Sequence, residues 1–373
     1  MSKVSVVKCP DYDYDNVKKA VDRSIRLAGG IKISKDDNVL LKINLLKAND
    51  PEGAITTHPS VVKAVSEHIL DHGATPIVGD TQNIQMDKGL HSLDVCGIRA
   101  VCDDLGIKAI DFKNNGYIEV DVLKALQMKK LWIAKDLLDA DVVISLPKMK
   151  THILTGYTGA VKNFFGCIPF GERMKAHILG KDDFSQVLSD IYSVSNPSFC
   201  IMDGIDGMEG NGPSHGEKKH FGILAAGSDC VSVDAICSGL MGFETIGTVD
   251  AAEKRSLGVG DLSKIDLVGD KIPPFNIKMP AYNIQKSQNM TRFIPKPIKS
   301  YLSKTLLKFE PRVDISKCKR CGICKKVCPP HAITLDDYPE FDREKCIKCF
   351  CCHELCPDGA IYTYKSWLAR RWR

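Results

Sequence analysis

The chain has 373 residues, of which 26% are charged, and a formal net charge of +5. This mild positive charge does not indicate a nucleic-acid-binding protein, and no run of 18 apolar residues suggests a transmembrane helix. The N-terminus lacks the apolar core of an export signal and turns acidic by Asp11, so we expect a cytoplasmic protein. The length predicts two or three domains.

Apolar runs alternate with helical periodicity along the first 270 residues. Strands are predicted at 4–8, 38–44, 75–80, 107–112, 141–147, 199–204, 221–227 and 265–269, and helices at 14–28, 58–73, 93–105, 157–165, 182–194 and 229–240. Apolar strands separated by helices are typical of a parallel sheet that is covered on both faces. We therefore predict an α/β domain over residues 1–272, with a largely parallel sheet and helices on both faces.

Residues 273–311 interrupt this alternation, because they are rich in proline and in basic side chains. We predict a linker with a short helix near residues 298–308. A solvated connector is one interpretation, and a docking arm for an acidic partner or a membrane surface is the other. The basic tail at residues 365–373 allows the same two interpretations.

One cysteine spacing occurs twice near the C-terminus. CKRCGICKKVCPP at residues 318–330 and CIKCFCCHELCPD at residues 346–358 both follow C-x2-C-x2-C-x3-C-P. In proteins with two such runs, the fourth cysteine of each run binds the other cluster. The two predicted 4Fe–4S clusters are bound by Cys318, Cys321, Cys324 and Cys356, and by Cys346, Cys349, Cys352 and Cys328.

The stretch of residues 312–364 resembles a bacterial-type ferredoxin with two 4Fe–4S clusters, which implies a small α+β domain. Structural zinc is the weaker alternative, because zinc sites use separated pairs of ligands. Disulfides would need an oxidising compartment, whereas sixteen cysteines, eight of them outside the two runs, fit a reducing and anaerobic cell. We predict that Cys351 is a spectator thiol, although it could replace Cys352 as a ligand.

Polar segments follow four of the predicted strands. The first leads to His58, the second begins at Thr81, the third runs from Lys148 to His152, and the fourth covers the glycine-rich residues 205–216. Because parallel α/β sheets bind ligands at the carboxyl ends of their strands, we expect these segments to form one polar cleft.

The first 270 residues also resemble the domain-of-unknown-function 362 family, which is often fused to a ferredoxin module. The matching segments are Lys42-Ile-Asn44, LPKMKTH (146–152), TGAVKNFFG (158–166) and MDGIDGMEGNGP (202–213). The resemblance implies a shared fold and an association with iron–sulfur clusters, but it implies no particular mechanism.

Residue types indicate the chemistry of the expected cleft. Lys148, Lys150 and Lys162 suit a carboxylate or phosphate of a substrate, and the alternative for them is a solvated surface. His58 and His152 could donate protons, or they could be helix-start and packing histidines. The predicted substrate-binding residues are Lys42, Asn44, Asp80, Asn163, Asp203, Asp206 and Asn211. A divalent cation on the carboxylates after residue 202 stays open, and so does a flavin, since many flavin sites lack a short motif.

These observations predict an iron–sulfur oxidoreductase. Single electrons would pass from a soluble carrier protein through two clusters to a small, anionic substrate in the α/β cleft. The alternative is an electron carrier or assembly partner whose α/β domain docks another protein or senses a ligand, and a redox-sensing regulator is a weaker third hypothesis. A homo-oligomer is compatible with each of them.

Overall fold

The computed structural model describes residues 1–81, 92–180, 183–280 and 308–367. Residues 281–307 of the predicted linker lie outside these ranges, and so does its predicted short helix apart from the last residue, Lys308. The last six residues of the basic tail also lie outside them.

A ten-stranded sheet forms the centre of the α/β domain within the described residues. Its strands are β1 (Ser2–Lys8), β2 (Asn38–Ile43), β3 (Thr75–Asp80), β4 (Lys108–Asp111), β7 (Val142–Leu146), β8 (Lys148–His152), β9 (Gly156–Thr158), β10 (Phe199–Glu209), β11 (Glu217–Gly227) and β12 (Ile265–Gly269). The order is β12-β1-β11-β10-β7-β2-β3-β4, with β8 beside β10 and β9 beside β8. Strands β5 (Tyr117–Asp121) and β6 (Lys130–Ala134) form a separate hairpin.

Most strand pairs in this sheet are parallel, as predicted from the apolar strands. Strands β12 and β1 are parallel, and so are the pairs formed along β10, β7, β2, β3 and β4 and between β8 and β10. Strand β11 is antiparallel to both of its neighbours. It follows β10 after only seven residues, which is too short for the crossover that a parallel pair needs.

Helices cover both faces of the sheet. They are α1 (Tyr14–Leu27), α2 (Pro59–Asp71), α3 (Ser92–Val95), α4 (Ile98–Leu105), α5 (Phe112–Asn115), α6 (Lys135–Asp139), α7 (Ala160–Asn163), α8 (Phe170–Leu179), α9 (Phe184–Ser195), α10 (Cys230–Leu240) and α11 (Gly247–Lys254). Side chains alternate along β2, so that Leu41 packs in one apolar cluster with Val61 and Leu40 packs in the other with Val187. The predicted α/β class is therefore confirmed.

Two segments that we predicted as polar loops are strands. The residues from Lys148 to His152 form β8, and β10 continues past Asp206 to Glu209. In β8, Met149 lies in the apolar core, while alternation places Lys148, Lys150 and His152 on the opposite face. The alternation that is typical of a strand was not recognised in β8 because one of its buried faces carries charged side chains, whereas a buried strand usually has apolar ones.

The cysteine-rich module consists of two similar halves. In the first, helix α12 (Ile323–Lys326) leads to β14 (Ile333–Leu335), and in the second, helix α13 (Cys351–Glu354) leads to β16 (Ile361–Lys365). Strand β13 (Phe309–Val313) pairs with β16, and β15 (Pro339–Phe341) pairs with β14. The amide of Ala332 donates to the Cys328 Sγ atom at 3.2 Å, and Ala360 donates to Cys356 at the same distance. The small α+β module that the resemblance to a ferredoxin implies is confirmed.

The cysteine-rich module packs directly on the α/β domain. Ile153, which follows β8, is fully buried against Phe309 and Phe350 of the module. The Ser214 hydroxyl, between β10 and β11, donates to the backbone oxygen of Glu354 at 2.6 Å. These contacts place helix α13 against the end of β8.

Candidate functional site

Four thiols surround a small cavity in the cysteine-rich module. Cys318, Cys321 and Cys324 of the first run and Cys356 of the second line a space of about 20 Å³. Burial raises the pKa of the Cys324 thiol to about 11, and the neighbouring Cys321, Cys356 and Cys318 contribute. Three thiols from one run and one from the other fit a 4Fe–4S cluster, because this sharing is typical of proteins with two such runs.

The other four thiols are also close neighbours. Burial raises the pKa of Cys352 well above its usual range, and charges on Cys349, Cys346 and Cys328 raise it further. Cys328 belongs to the first run, so this group has the same three-plus-one composition. Within the described ranges, no three His, Cys, Asp or Glu side chains lie close enough to hold a single metal ion. A 4Fe–4S cluster differs from such a site because its four thiolates bind four separate irons.

A second, larger cavity of about 100 Å³ lies between the α/β domain and the cysteine-rich module. Its α/β side includes Asn44, Asp80, Lys162, Asn163, Arg173 and His177. Its other side is formed by Val327, Cys351, Glu354 and Leu355. The space is large enough for several water molecules or a small organic acid. We refer to it as the intermodule cavity.

Two cationic side chains in the intermodule cavity lie near the same aromatic ring. The Lys162 Nζ atom is 5.8 Å and the Arg173 Cζ atom is 6.0 Å from the centre of Phe165. Arg173 is held by hydrogen bonds from Nε to the Ile168 oxygen, at 3.0 Å, and from Nη2 to the Gly166 oxygen, at 2.8 Å. The Lys162 ammonium has no hydrogen-bond acceptor in the part of the chain that the structure describes. Burial lowers the pKa of Lys162, whereas the charge of Glu354 raises it.

Three buried polar atoms that line the intermodule cavity have no hydrogen-bond partner in the described residues. They are Asn44 Oδ1, Thr158 Oγ1 and His177 Nδ1. Burial lowers the pKa of His177 to about 3, so its ring is neutral at pH 7. An unpaired buried polar atom costs about 1–3 kcal/mol, and such atoms commonly bind water or a ligand. These three atoms therefore indicate polar contents in the cavity.

A buried ion pair supports the floor of the intermodule cavity. The Lys42 Nζ atom lies 2.9 Å from Asp80 Oδ2, and Lys42 is fully buried. The Asn163 side chain donates to the Lys42 backbone oxygen at 2.9 Å. A Cβ atom on Gly166 would lie 2.4 Å from Asp80 Oδ1, so only glycine fits there without a shift. Asp80 and Asn163 reach the cavity, whereas Lys42 lies beneath it and supports Asp80.

His152 connects the two modules and does not line the intermodule cavity. Its Nδ1 atom accepts hydrogen bonds from the amides of Leu154, at 3.0 Å, and Thr155, at 3.2 Å. Its Nε2 atom lies 3.5 Å from Glu354 Oε2. Burial lowers the pKa of His152 to about 4, and the charge of Lys162 contributes. The neutral ring therefore carries its proton on Nε2, toward Glu354 and away from a substrate in the cavity.

A separate polar group surrounds Asp203. The Lys148 Nζ atom lies 2.8 Å from Asp203 Oδ2 and 2.6 Å from the Tyr12 hydroxyl, which donates to Asp203 Oδ1 at 2.9 Å. The His58 ring stacks on Tyr12 with 3.6 Å between centroids, and its Nδ1 atom accepts from the Ser60 amide at the start of α2. None of these side chains lines the intermodule cavity, so their predicted place in the same cleft stays a prediction.

The remaining predicted residues also lie outside the intermodule cavity. Lys150 is fully buried and donates to the Ile55 oxygen at 2.6 Å, and burial lowers its pKa far below the usual range, with Lys162 and Lys148 adding to the effect. Asp206 pairs with Lys218 at 2.8 Å. Asn211 lies in the connection between β10 and β11. These residues do not line the intermodule cavity, and their predicted part in one convergent site stays a prediction.

Sequence reasoning did not identify Arg173, His177, Thr158 and Glu354 as members of the site. Arg173 and His177 are four residues apart on α8, which follows the matched segment TGAVKNFFG, and this spacing places them on one face of a helix. Glu354 stands between two predicted cluster ligands, Cys352 and Cys356. This carboxylate between two predicted cluster ligands was the one signal in the sequence that could have indicated a residue of the site.

Residues 39–239 match the family model described as "Domain of unknown function (DUF362)", and residues 311–334 match the "4Fe-4S binding domain". The chain is 32% identical over 266 residues to the thylakoid-associated protein sll1697 of Synechocystis sp., and the alignment covers 69% of this chain and 80% of that protein. No helix in the described ranges is long and apolar enough to cross a membrane.

Two solved structures are weakly similar to this chain. The lactate racemase apoprotein from Thermoanaerobacterium thermosaccharolyticum has a TM-score of 0.41 and 12% identity, over 66% of this chain and 58% of that one. A protein from Thermotoga maritima has a TM-score of 0.36 and 13% identity, over 66% and 60%. The chain thus spans less than two thirds of either structure. The family match covers more than half of this sequence, and the chain therefore belongs to the DUF362 family and carries a 4Fe–4S domain with a role in electron transfer.

Proposed function

We propose that the protein is an iron–sulfur oxidoreductase that reduces a small anionic substrate in the intermodule cavity. The observation that carries this proposal is the shared wall of the cavity. Lys162 and Arg173 line one side, and Val327 and Cys351 line the other. Val327 and Cys351 directly precede Cys328 and Cys352, two proposed ligands of the second cluster. A substrate held by the cations would therefore lie beside that cluster.

The eight cysteines of the two runs are the proposed ligands of two 4Fe–4S clusters. When bound, such clusters supply electrons one at a time. This assignment is supported by the composition of the two groups of thiols, since each group combines three thiols of one run with one thiol of the other. The second group adjoins the intermodule cavity, whereas the first group is open to solvent at Cys321.

Arg173 and Lys162 are the proposed substrate-binding cations. The guanidinium of an arginine is a planar, charged fork that suits carboxylate or phosphate. The bonds of Arg173 to the backbone oxygens of Ile168 and Gly166 hold the guanidinium in place before a substrate arrives. The unpaired atoms of Asn44, Thr158 and His177 can orient further polar groups of the substrate.

Lys162 is also the proposed proton donor, in place of His58 and His152. Reduction of a small organic acid consumes protons together with electrons, and a donor is most effective when its pKa lies near the working pH. Burial moves the pKa of Lys162 in that direction. The proton of His152 faces Glu354 instead, and His58 belongs to the group around Asp203.

The test is to mix the reduced protein anaerobically with a panel of small carboxylates and phosphates. Reoxidation is monitored through the visible absorbance of the clusters. We expect one class of acid to restore the oxidised spectrum. In Lys162→Met the rate should fall by about 100-fold or more, as expected for loss of a proton donor. Lys175→Met is the matched control, since Lys175 lies exposed on α8 and pairs with Glu172.

An unchanged rate in Lys162→Met, with cluster absorbance intact, would exclude this site. If both clusters are present and no small acid reoxidises them, the alternative of an electron carrier with a docking α/β domain is favoured.

A further inference from the structure

The two cysteine runs are placed differently, although their sequences are similar. In the second run, Phe350 and His353 are buried, and Phe350 packs against Ile153 of the α/β domain. In the first run, Cys321 is exposed to solvent. The second run is therefore covered by the α/β domain, and the first run offers a proposed cluster ligand to the surroundings.

The exposed run is also much more basic than the covered one. Residues 314–328 contain one carboxylate, Asp314, and five basic side chains, whereas residues 342–356 contain three of each sign. All five basic side chains are exposed. We name this group the first-finger surface, and it consists of Lys317, Lys319, Arg320, Lys325 and Lys326.

Part of the first-finger surface adjoins the cavity between Cys318, Cys321, Cys324 and Cys356. Lys319 and Arg320 line this cavity, and Asp358 is its one acidic lining residue. The Arg320 guanidinium is held in place, since it lies 4.5 Å from the centre of the Tyr338 ring and donates to the Tyr338 hydroxyl at 2.8 Å. The positive charge is thus concentrated beside the most accessible thiol of the first cluster's proposed ligands.

We propose that the first-finger surface is the docking site of an acidic one-electron carrier protein. Opposite charge on the two partners speeds their encounter and selects an orientation, here one that brings the carrier to the solvent-exposed side of the first cluster. In each encounter the carrier loses one electron, the first cluster gains it, and no bond is formed or broken. The carrier is an iron–sulfur or flavin protein with a negatively charged surface around its cofactor.

The two halves of the module supply a matched pair of variants. Lys317 and Lys345 each directly precede the first cysteine of a run. Lys317 pairs with Asp314 at 3.8 Å and Lys345 with Asp342 at 3.5 Å, and their side chains are 62% and 67% exposed. Reversal of charge at the two positions therefore disturbs similar surroundings, but only Lys317 belongs to the first-finger surface.

The experiment measures the rate of electron exchange between the full-length, cluster-loaded protein and an acidic plant-type ferredoxin as the probe, by anaerobic stopped flow. The protein with the lower reduction potential is reduced before mixing, and the other protein is oxidised. We expect Lys317→Glu to slow exchange by roughly three- to tenfold and the double variant Lys317→Glu/Lys319→Glu by more, because steering accelerates association by about 10- to 1,000-fold. Lys345→Glu should retain a rate close to that of the unaltered protein.

Two further measurements distinguish weaker docking of the carrier from altered reactivity of the clusters themselves. Reduction by photoreduced 5-deazariboflavin, a small neutral reagent, should be equally fast in all variants. In the unaltered protein, exchange with ferredoxin should slow as ionic strength rises, since exposed charges are screened. An absence of exchange, equal effects of the Lys317 and Lys345 variants, or a rate independent of salt would overturn the proposal. No substrate is needed, so the result is independent of whether the intermodule cavity is catalytic.

Discussion

The Nε2 atom of His152 lies 3.5 Å from the Oε2 atom of Glu354. These side chains are 2% and 17% exposed, and they join the end of β8 to helix α13 between two proposed cluster ligands. Because Nδ1 of His152 accepts two backbone hydrogen bonds, the neutral ring carries its single N–H on Nε2, on the side of Glu354, where it makes no hydrogen bond within the described residues. This contact lies beside the packing of Ile153 on Phe309 and Phe350, and both join the cysteine-rich module to the α/β domain.

Acid should weaken the fold through His152. Its pKa is about 4 in the folded protein, against a usual value of 6.5, so the unfolded chain binds a proton first as the pH falls. The contribution of His152 to the free energy of unfolding is fully present above about pH 6.5 and is lost toward pH 4. For a shift of this size, the loss is roughly 3 kcal/mol. Urea unfolding at several pH values, followed anaerobically by circular dichroism, measures this loss.

In His152→Gln the fall between pH 6.5 and pH 4 should become shallower, because one buried ionisable ring has been removed. His72→Gln, at the exposed end of α2, is the control. If His152→Gln and the unaltered protein lose stability with the same slope, then His152 is not a source of the acid sensitivity.

Replacement by methionine should destabilise the protein far more at Lys148 than at Lys150. Lys148→Met leaves the fully buried Asp203 without its cation, and removal of one partner from a buried pair costs about 3–5 kcal/mol. Lys150→Met removes an amine with one carbonyl acceptor, at Ile55, and should change stability by about 1 kcal/mol or less. Urea unfolding midpoints measure both effects, and similar losses in the two variants would refute this distinction.

Gly166 should tolerate no side chain. In Gly166→Ala the added Cβ would lie 2.4 Å from Asp80 Oδ1 and 3.0 Å from Lys42 Nζ, so the floor of the cavity must shift, at a cost of about 1–3 kcal/mol. Gly171→Ala on α8 is the control, because no heavy atom lies within 4 Å of its added Cβ and alanine favours a helix. Comparable thermal midpoints for the two variants would show that the floor is adaptable.

Cys351 should be dispensable for cluster binding, whereas its neighbour Cys352 should not. Cys352 belongs to the second group of thiols, and Cys351 lines the intermodule cavity. Cys351→Ala should keep the iron content and the low-temperature electron paramagnetic resonance spectrum of two reduced clusters, and Cys352→Ala should lose one cluster. Retention of both clusters in Cys352→Ala would indicate that Cys351 replaces it as a ligand.

The sequence by itself determined the iron–sulfur module and the α/β class. The ligand spacing from Cys318 to Cys328 is local, so a short loop brings three of the four thiols together whatever the rest of the chain does. Segments that are mostly apolar, such as VVISL at residues 142–146, likewise indicate a buried parallel strand, since few other environments suit them.

Only the tertiary structure decided which polar residues share a site. Lys148, Lys150 and Lys162 are all lysines in one stretch of the chain, yet only Lys162 reaches the intermodule cavity. The register of β8 against β10 turns Lys148 toward Asp203, and α8 brings Arg173 and His177 to Lys162. Such positions depend on the packing of segments that are distant in sequence, and packing leaves no local pattern in the residues that it brings together.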